Sequence, residues 1–423
     1  MYYDVKEIFI HPARRTPGVL YAPAEASANS KTAVLVMHSD EDYLTFSTGR
    51  ELAKRGFLCL CANVPGKEGF FWTQCEKMQA IDTCVRYLRD LPGVRNVVLM
   101  GHSGGATTMS AYQAIAENGV QIFQGPEKIV PHPDCGPLAG ADGIMLLDPN
   151  MGNCYCQLCS LDPAVLREDS GKELDPDLDL YNPDNGYVPN GCGYTEDFIA
   201  AFMRAQSRRN MRILDAALQR YEALEKGEGL YEDDEPFVLP GAAQGFFNNK
   251  EFVTDTHLAH TAEPHTLVHS DGSVTTQIVL ALAKSAFGKS CTPSLKDGAR
   301  IFTVKNYLTS YAVRTDDSFA SDESHFYGID WSSTYNSAVP NMEHVMVPTL
   351  ITGMTAGVNV VATETIWKHA AAKDKDLAYI EGADHLFEPA KELESFPGQF
   401  GDTMKLHHDY VAQWLSARGR FKD

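Results

Sequence analysis

The sequence predicts an α/β chain: a mostly parallel sheet of about eight strands, flanked by helices and interrupted by one large inserted segment. Three observations carry this. Apolar runs of strand length occur at Thr32–Met37, Phe57–Ala62 and Asn96–Met100, apolar on both faces, as strands covered on both sides are. Helical patterns separate them, and strands alternating with helices give parallel sheets. The same alternation returns near the C-terminus, after residues 150–345 in which it is absent.

In order, Lys6–His11 and Gly18–Tyr21 read as short strands joined by a Pro/Arg turn. After Thr32–Met37, Phe46–Arg55 fits a helix that Gly56 ends. Thr73–Leu91 is helical, with Met78, Ile81, Val85 and Leu88 on one face and Pro92-Gly93 as its stop. Ala106–Ala116 is a further helix, and Gly143–Leu147 a further buried strand. Late in the chain come a strand at Val347–Ile351, a helix at Val360–Ala372, a strand at Leu377–Ile380 and a helix at Asp402–Ala417. Between them, Leu161–Gly193 is loop-like in its Asp, Pro, Gly and Asn content. Tyr194–Lys226 is a long amphipathic helix, and Arg300–Val313 is strand-like. The expected organisation is a first core part (1–150), a cap (151–345) over the sheet's active edge, and a second core part (346–423).

The chain has 423 residues and a formal charge of -20, which disfavours nucleic acid, because phosphates need Lys and Arg. No apolar stretch approaches the ~18 residues of a membrane span. The N-terminus shows no basic and apolar leader pattern. Ten cysteines are too few for a disulfide framework at this length, so free buried thiols, a reducing compartment and hence the cytoplasm are the default expectation. The expected partner is a small-molecule substrate, with neither membrane nor nucleic acid; a homodimer is left open.

The chemistry centres on Gly101-His102-Ser103-Gly104-Gly105, which fits G-x-S-x-G. The pentapeptide alone is a weak signal. Here the strand Val97–Met100 runs into it and a helix runs out, the setting of a nucleophile elbow. The turn lifts the Ser103 hydroxyl above the sheet edge and aims the Gly104 N–H at a developing oxyanion. Serine needs a base. Among fourteen histidines, His385 follows the last strand, Leu377–Ile380, on a loop that faces the same edge as Ser103.

Together, Gly101–Gly105 after a strand, Val347-Pro-Thr-Leu-Ile-Thr-Gly353, and Gly382-Ala-Asp-His385 resemble the α/β-hydrolase family. The likeness is nearest to serine esterases of the dienelactone-hydrolase and platelet-activating-factor-acetylhydrolase type. It spans residues 1–150 and 345–423 and not the insertion. It implies acyl transfer through an acyl-serine, hydrolysis by water, and no cofactor. It also implies a second oxyanion donor on the loop after Thr32–Met37. That loop usually opens His-Gly and here reads His38-Ser39-Asp40-Glu41-Asp42-Tyr43, so the Ser39 or Asp40 N–H is the candidate. Tyr43 and His102 are the candidate substrate contacts; for Tyr43, lining an acyl pocket, donating through its hydroxyl and plain packing all stay open.

The third member of a triad departs from the common pattern. The loop after Val347–Ile351, Thr352–Val360, holds no carboxylate, and Glu364 beyond it falls inside a helix. Gly143–Leu147 ends instead in Asp148-Pro149, next to Ser103 along the sheet. Some esterases of the acetylhydrolase type place their acid after this strand, so Asp148 is the candidate. The alternative for Asp148 is a turn or helix cap. Asp384, Asp322 and Glu323 are weaker rivals.

Other clusters read more simply. Cys154, Cys156 and Cys159, with Cys135 and Cys192 nearby in sequence, lack the usual paired spacing of a zinc site. His257, His260, His265 and His269 are interrupted by Glu263-Pro264 and read as surface or cap-lining. Glu232–Glu235 is a solvated acidic turn. Phe246, Phe247, Trp331 and Tyr335 are candidates for an apolar pocket.

The leading expectation is therefore a serine hydrolase acting on an ester, thioester or lactone. Carbon–carbon bond hydrolysis or acyl transfer would use the same Ser-His-Asp set. A non-catalytic ligand receptor on the same fold would need neither Ser103 nor His385.

Overall fold

The computed structural model describes residues 2–13, 15–64, 73–170, 173–188, 191–242, 259–282 and 299–421. Phe246, Phe247 and His257 lie outside the described residues, as does the side chain of Cys192.

The first hairpin is β1 (Val5–Ala13) and β2 (Thr16–Pro23). Then follow β3 (Thr32–Val36), α1 (Ser47–Lys54), β4 (Leu58–Ala62), α2 (Gln74–Arg89), β5 (Asn96–His102), α3 (Gly105–Asn118) and β6 (Gly143–Leu147). The inserted stretch holds α4 (Asn153–Ser160), β7 (Tyr187–Val188), β8 (Gly191–Cys192), α5 (Glu196–Glu225), β9 (Pro236–Pro240), β10 (His265–Val268), β11 (Val274–Gln277), β12 (Ala299–Thr303), α6 (Val304–Ser310), β13 (Arg314–Ser321), β14 (Phe326–Asp330) and α7 (Ala338–Met342). The chain closes with β15 (Thr349–Met354), α8 (Val360–His369), β16 (Lys375–Ile380) and α9 (Thr403–Leu415).

The main sheet has ten strands in the order β1-β2-β4-β3-β5-β6-β15-β16-β10-β11. Pairings from β4 through β10 are parallel, and the β1-β2-β4 and β10-β11 edges are antiparallel. This is the α/β-hydrolase fold. Its order reverses between β3 and β5, the crevice where open α/β sheets bind ligands.

Strand alternation builds two cores from one sheet. Leu35, Leu99, Ile144, Leu146 and Ile351 pack with α2, α3, α7 and α8 on one face. Val34, Val36, Val98, Met100, Met145 and Leu350 pack with α1 and α9 on the other. α2 starts at a full capping box, the Thr73 side chain on the Glu76 N–H and Glu76 returning to the Thr73 N–H.

The insertion differs from its sequence reading in three respects. First, it does not lie wholly above the sheet: β10 pairs parallel with β16 and β11 extends that edge, giving ten strands. Second, 300–313 is not one strand. β12 ends at Thr303, whose side chain caps α6 by accepting from the Asn306 N–H. Third, the insertion has a core of its own, Ile213, Leu214, Phe237, Leu239, Phe302 and Tyr307, between α5, α6 and the β9-β12 pair.

The cysteines are not all free: Cys75 and Cys135 form a disulfide across 60 residues. This corrects the all-thiol reading and removes part of the ground for a cytoplasmic location. Cys154, Cys156 and Cys159 are buried on α4 and outside any disulfide. Cys154 and Cys159 face different cores. Among the described residues no group of His, Cys, Asp or Glu is placed to hold a metal ion. Among them no helix is long and apolar enough to cross a membrane.

Candidate active site

Ser103 is the first residue beyond β5 and Asp148 the first beyond β6. The register pairs His102 with Leu147, so the two residues leave neighbouring strands side by side. Both have positive φ, 54° and 44°. The Ser103 N–H donates to the Leu147 carbonyl (3.4 Å) and the Asn150 N–H to the Ser103 carbonyl (3.4 Å). The two flanking glycines of the pentapeptide are where chains touch. A Cβ at Gly101 would sit 2.6 Å from the Gly105 carbonyl oxygen, and one at Gly105 2.5 Å from that of Met37.

Asp148 is fully buried. One carboxylate oxygen accepts from the Met354 N–H (3.1 Å), while the other meets His385 Nδ1 at 2.5 Å and the Asn359 amide at 3.2 Å. The Asn359 amide also donates to the Asp148 carbonyl (3.1 Å). The carboxylate is thus fixed by donors from the end of β15 and from Asn359 just before α8, on the segment that lacks an acid of its own. Sequence reasoning missed Asn359; an amide in the expected acid loop was the available signal. The rival acids are committed elsewhere. Asp384 accepts from the N–H groups of Leu386 and Glu388 within its own loop. Asp322 accepts from Ser324, His325 and Tyr327. Glu364 accepts from the Ala262 and Glu263 N–H groups and meets His265 Nε2 at 2.8 Å.

His385 sits on the loop after β16 with about a third of its side chain exposed. In the neutral tautomer whose Nδ1–H donates to Asp148, Nε2 has the lone pair that a general base needs. Ser103 Oγ has the Asn150 amide at 3.5 Å and makes no hydrogen bond to His385 in the structure. Such contacts commonly tighten only when substrate is bound.

His102 and Tyr43 stand behind the site rather than in it. His102 is buried, and its Nε2 is 2.7 Å from the His385 carbonyl. Because a carbonyl only accepts, Nε2 carries the proton. Burial, then the neighbouring His385, holds the His102 pKa well below the usual histidine range, so the ring is neutral. Nδ1 therefore accepts from the Tyr43 hydroxyl at 2.5 Å. Tyr43, also buried, stacks between His38 and Phe46. Its hydroxyl is engaged, which favours the packing alternative for Tyr43, and buried His102 does not have the substrate-facing placement expected of it. Together they anchor the backbone of the His385 loop.

On the oxyanion side, the His38–Ser39 loop packs on the elbow. A Cβ at Gly104 would lie 2.8 Å from Ser39 Oγ and 3.2 Å from the His38 ring. The N–H groups of Asp40 and Glu41 both point at His38 Nδ1, at 3.3 and 3.0 Å. That removes Asp40 as the second donor, and Ser39 stays the candidate. The Asp40 carboxylate accepts from the Ser39 hydroxyl at 2.7 Å.

No protein-family model matches the chain, and no curated protein matches it in sequence. Solved structures similar to it include a siderophore hydrolase, EstB, from Aspergillus fumigatus, at 12% identity over 98% of each chain with TM-score 0.41. Another is Est1E from Butyrivibrio proteoclasticus, at 12% identity over 97% of this chain and 98% of that one, TM-score 0.38. A third is a dienelactone hydrolase from Anabaena variabilis, at 10% identity over 98% of this chain and 97% of that one, TM-score 0.36.

Proposed function

We propose that the chain is a serine hydrolase that cleaves an ester, thioester or lactone bond of a small organic substrate. The observation that carries the reading is the Asp148 carboxylate on His385 Nδ1 at 2.5 Å, with Ser103 leaving the adjacent strand in a left-handed turn. His385 Nε2 takes the Ser103 proton as Oγ attacks the carbonyl carbon. Buried Asp148 holds the ring in that tautomer and stabilises the imidazolium that forms. The N–H groups of Gly104 and Ser39 receive the negative oxygen. His385 then returns the proton to the leaving alcohol or thiol, and water, deprotonated by the same base, releases the acid and frees Ser103.

The test is covalent labelling followed by turnover. A fluorophosphonate probe is expected to label Ser103, identified by peptide mass, and the Ser103→Ala chain to remain unlabelled. Ser103→Ala is also expected to fold and to keep only the residual rate of binding and oxyanion stabilisation, about 10³-fold over water. Labelling elsewhere, or a Ser103→Ala chain that keeps more than a few per cent of the parent rate, overturns the assignment.

A further inference from the structure

The main sheet ends on two unlike edges. β1, at one end, carries Lys6, Glu7, His11 and Pro12, and its register with β2 shifts between Ile10 and Ala13. Glu7 is paired with Arg50 at 2.6 Å. Charge, proline and an irregular register are the usual means of keeping an edge from pairing with another chain. β11, at the other end, has none of them. It is exposed at every residue, and from Gly272 to Leu282 there is no Asp, Glu, Lys, Arg or Pro.

The bonds of the hairpin show which backbone groups are left over. The Val268 carbonyl accepts from the Glu381 N–H (3.0 Å), so Val268 turns its backbone toward β16, and Val274 opposite it turns away from β10. The His269 N–H donates to the Ser273 carbonyl (2.9 Å) and the Thr261 N–H to the Val279 carbonyl (3.0 Å), which sets the same alternation at either end. The N–H and C=O groups of Val274, Thr276 and Ile278 therefore point out of the edge. Among the described residues no backbone group pairs with them. Their side chains share one face of the sheet, where Val274 and Ile278 are exposed apolar groups.

We infer that this edge pairs with the same edge of a second copy, antiparallel about a two-fold axis at Thr276. The register matches itself. Thr276 exchanges N–H···O=C bonds with Thr276 of the second copy, and Val274 lies opposite Ile278 on the same face. Thr275 lies opposite Gln277 on the other face, so apolar meets apolar and polar meets polar. Charge favours a second copy as the occupant. Chains of net charge -20 repel each other over most of their surface, and this uncharged strand is where two can touch without opposing like charges. A cationic partner finds nothing on it to pair with. A two-fold contact uses the edge once in each copy and closes at the dimer. The inference is independent of the reading of Ser103.

The experiment is sedimentation equilibrium of the full chain from about 1 μM to about 0.5 mM, the range in which a contact smaller than a standard interface is read. The mass is expected to rise with concentration from 46.6 kDa toward twice that value and no further. Thr276→Pro removes the N–H at the axis, which β10 does not use. It is expected to hold the chain at the monomer mass, with Tm at the lowest concentration unchanged. Val274→Lys with Ile278→Lys is expected to stay monomeric. Val274→Lys with Ile278→Glu sets opposite charges across the axis and is expected to recover the dimer. A wild-type chain monomeric throughout, a mass that climbs past the dimer, or a dimer that persists in a folded Thr276→Pro overturns the inference. If Thr276→Pro does not fold, the two charge variants decide: association equal in both refutes the pairing of Val274 with Ile278.

Discussion

The molecule holds two histidine–carboxylate pairs that look alike and do different work. His385–Asp148 joins the loops after β16 and β6, with the carboxylate fully buried and the imidazole partly exposed. His265–Glu364 joins the start of β10 to α8, with both partners buried. Glu364 also accepts two backbone N–H groups and has Lys368 at 3.5 Å, and the His265 ring lies edge-on to Trp367. That pair fastens the insertion's strands to the sheet. In each pair one imidazole nitrogen meets the carboxylate; the first imidazole is about a third exposed at the strand ends, and the second is buried at the start of β10. A carboxylate on an imidazole is thus no sign of catalysis by itself. Position at the carboxyl ends of the parallel strands and an accessible imidazole make the difference.

The largest expected consequence separates the two carboxylates by rate. Asp148→Asn should lower kcat by about 10⁴-fold, through loss of the tautomer and of imidazolium stabilisation. Glu364→Gln should stay within a few-fold on the same substrate. Equal losses in the two variants would dissolve the distinction. Next comes the anchor behind the first pair. His102→Phe keeps the ring but loses the bonds to Tyr43 and to the His385 carbonyl. It should reduce kcat by about 10- to 100-fold, with KM and Tm little changed, because a misplaced base costs rate before binding. A change confined to Tm would make His102 a core residue only.

Third, Glu364→Gln should cost about 1–3 kcal/mol in denaturant unfolding, because it leaves buried donors poorly matched. Asp148→Asn should cost less, since Asn is among the residues that best tolerate positive φ. The most gradual effect concerns pH. Burial first, with Lys368 and hydrogen bonds from His265 and two N–H groups opposing it, leaves the Glu364 pKa at about 2, below its unfolded 4.5. Its contribution is complete above the unfolded value and lost as pH falls toward 2. His408 has no carboxylate partner, and burial lowers its pKa from 6.5 to about 4. The unfolded chain protonates there first, so stability falls with pH from about 6.5 to 4, at most by about 1.4 kcal/mol per pH unit. Urea unfolding at stepped pH should show that slope and its flattening in His408→Gln.

Much of this is legible in the sequence, and the gaps have physical causes. The parallel core announces itself because strands buried on both faces must be continuously apolar: β3, β5 and β6 are buried at every residue. Ser103 and His385 follow from strand ends, and Asp148 from the absence of any acid in 352–360. β10 and β11 escape because each is four residues long, one reads His-Thr-Leu-Val, and β11 is exposed throughout. Their place beside β16 depends on contacts across about a hundred residues, which no local pattern records. The 300–313 segment misleads because an apolar strand and an apolar short helix are alike over so few residues. The Cys75–Cys135 bond is equally long in range.

The left-handed backbone at Ser103 and Asp148 has a consequence for how such a chain can change. Serine and aspartate with φ of 54° and 44° sit where glycine would be more at ease, by about 1 kcal/mol or more for each. Ser103→Gly is therefore expected to melt later than the parent while doing nothing. Selection for robustness alone would erode this pair first, so a lineage that keeps both side chains at the two crossing points is one in which turnover, not durability, has been the trait under pressure.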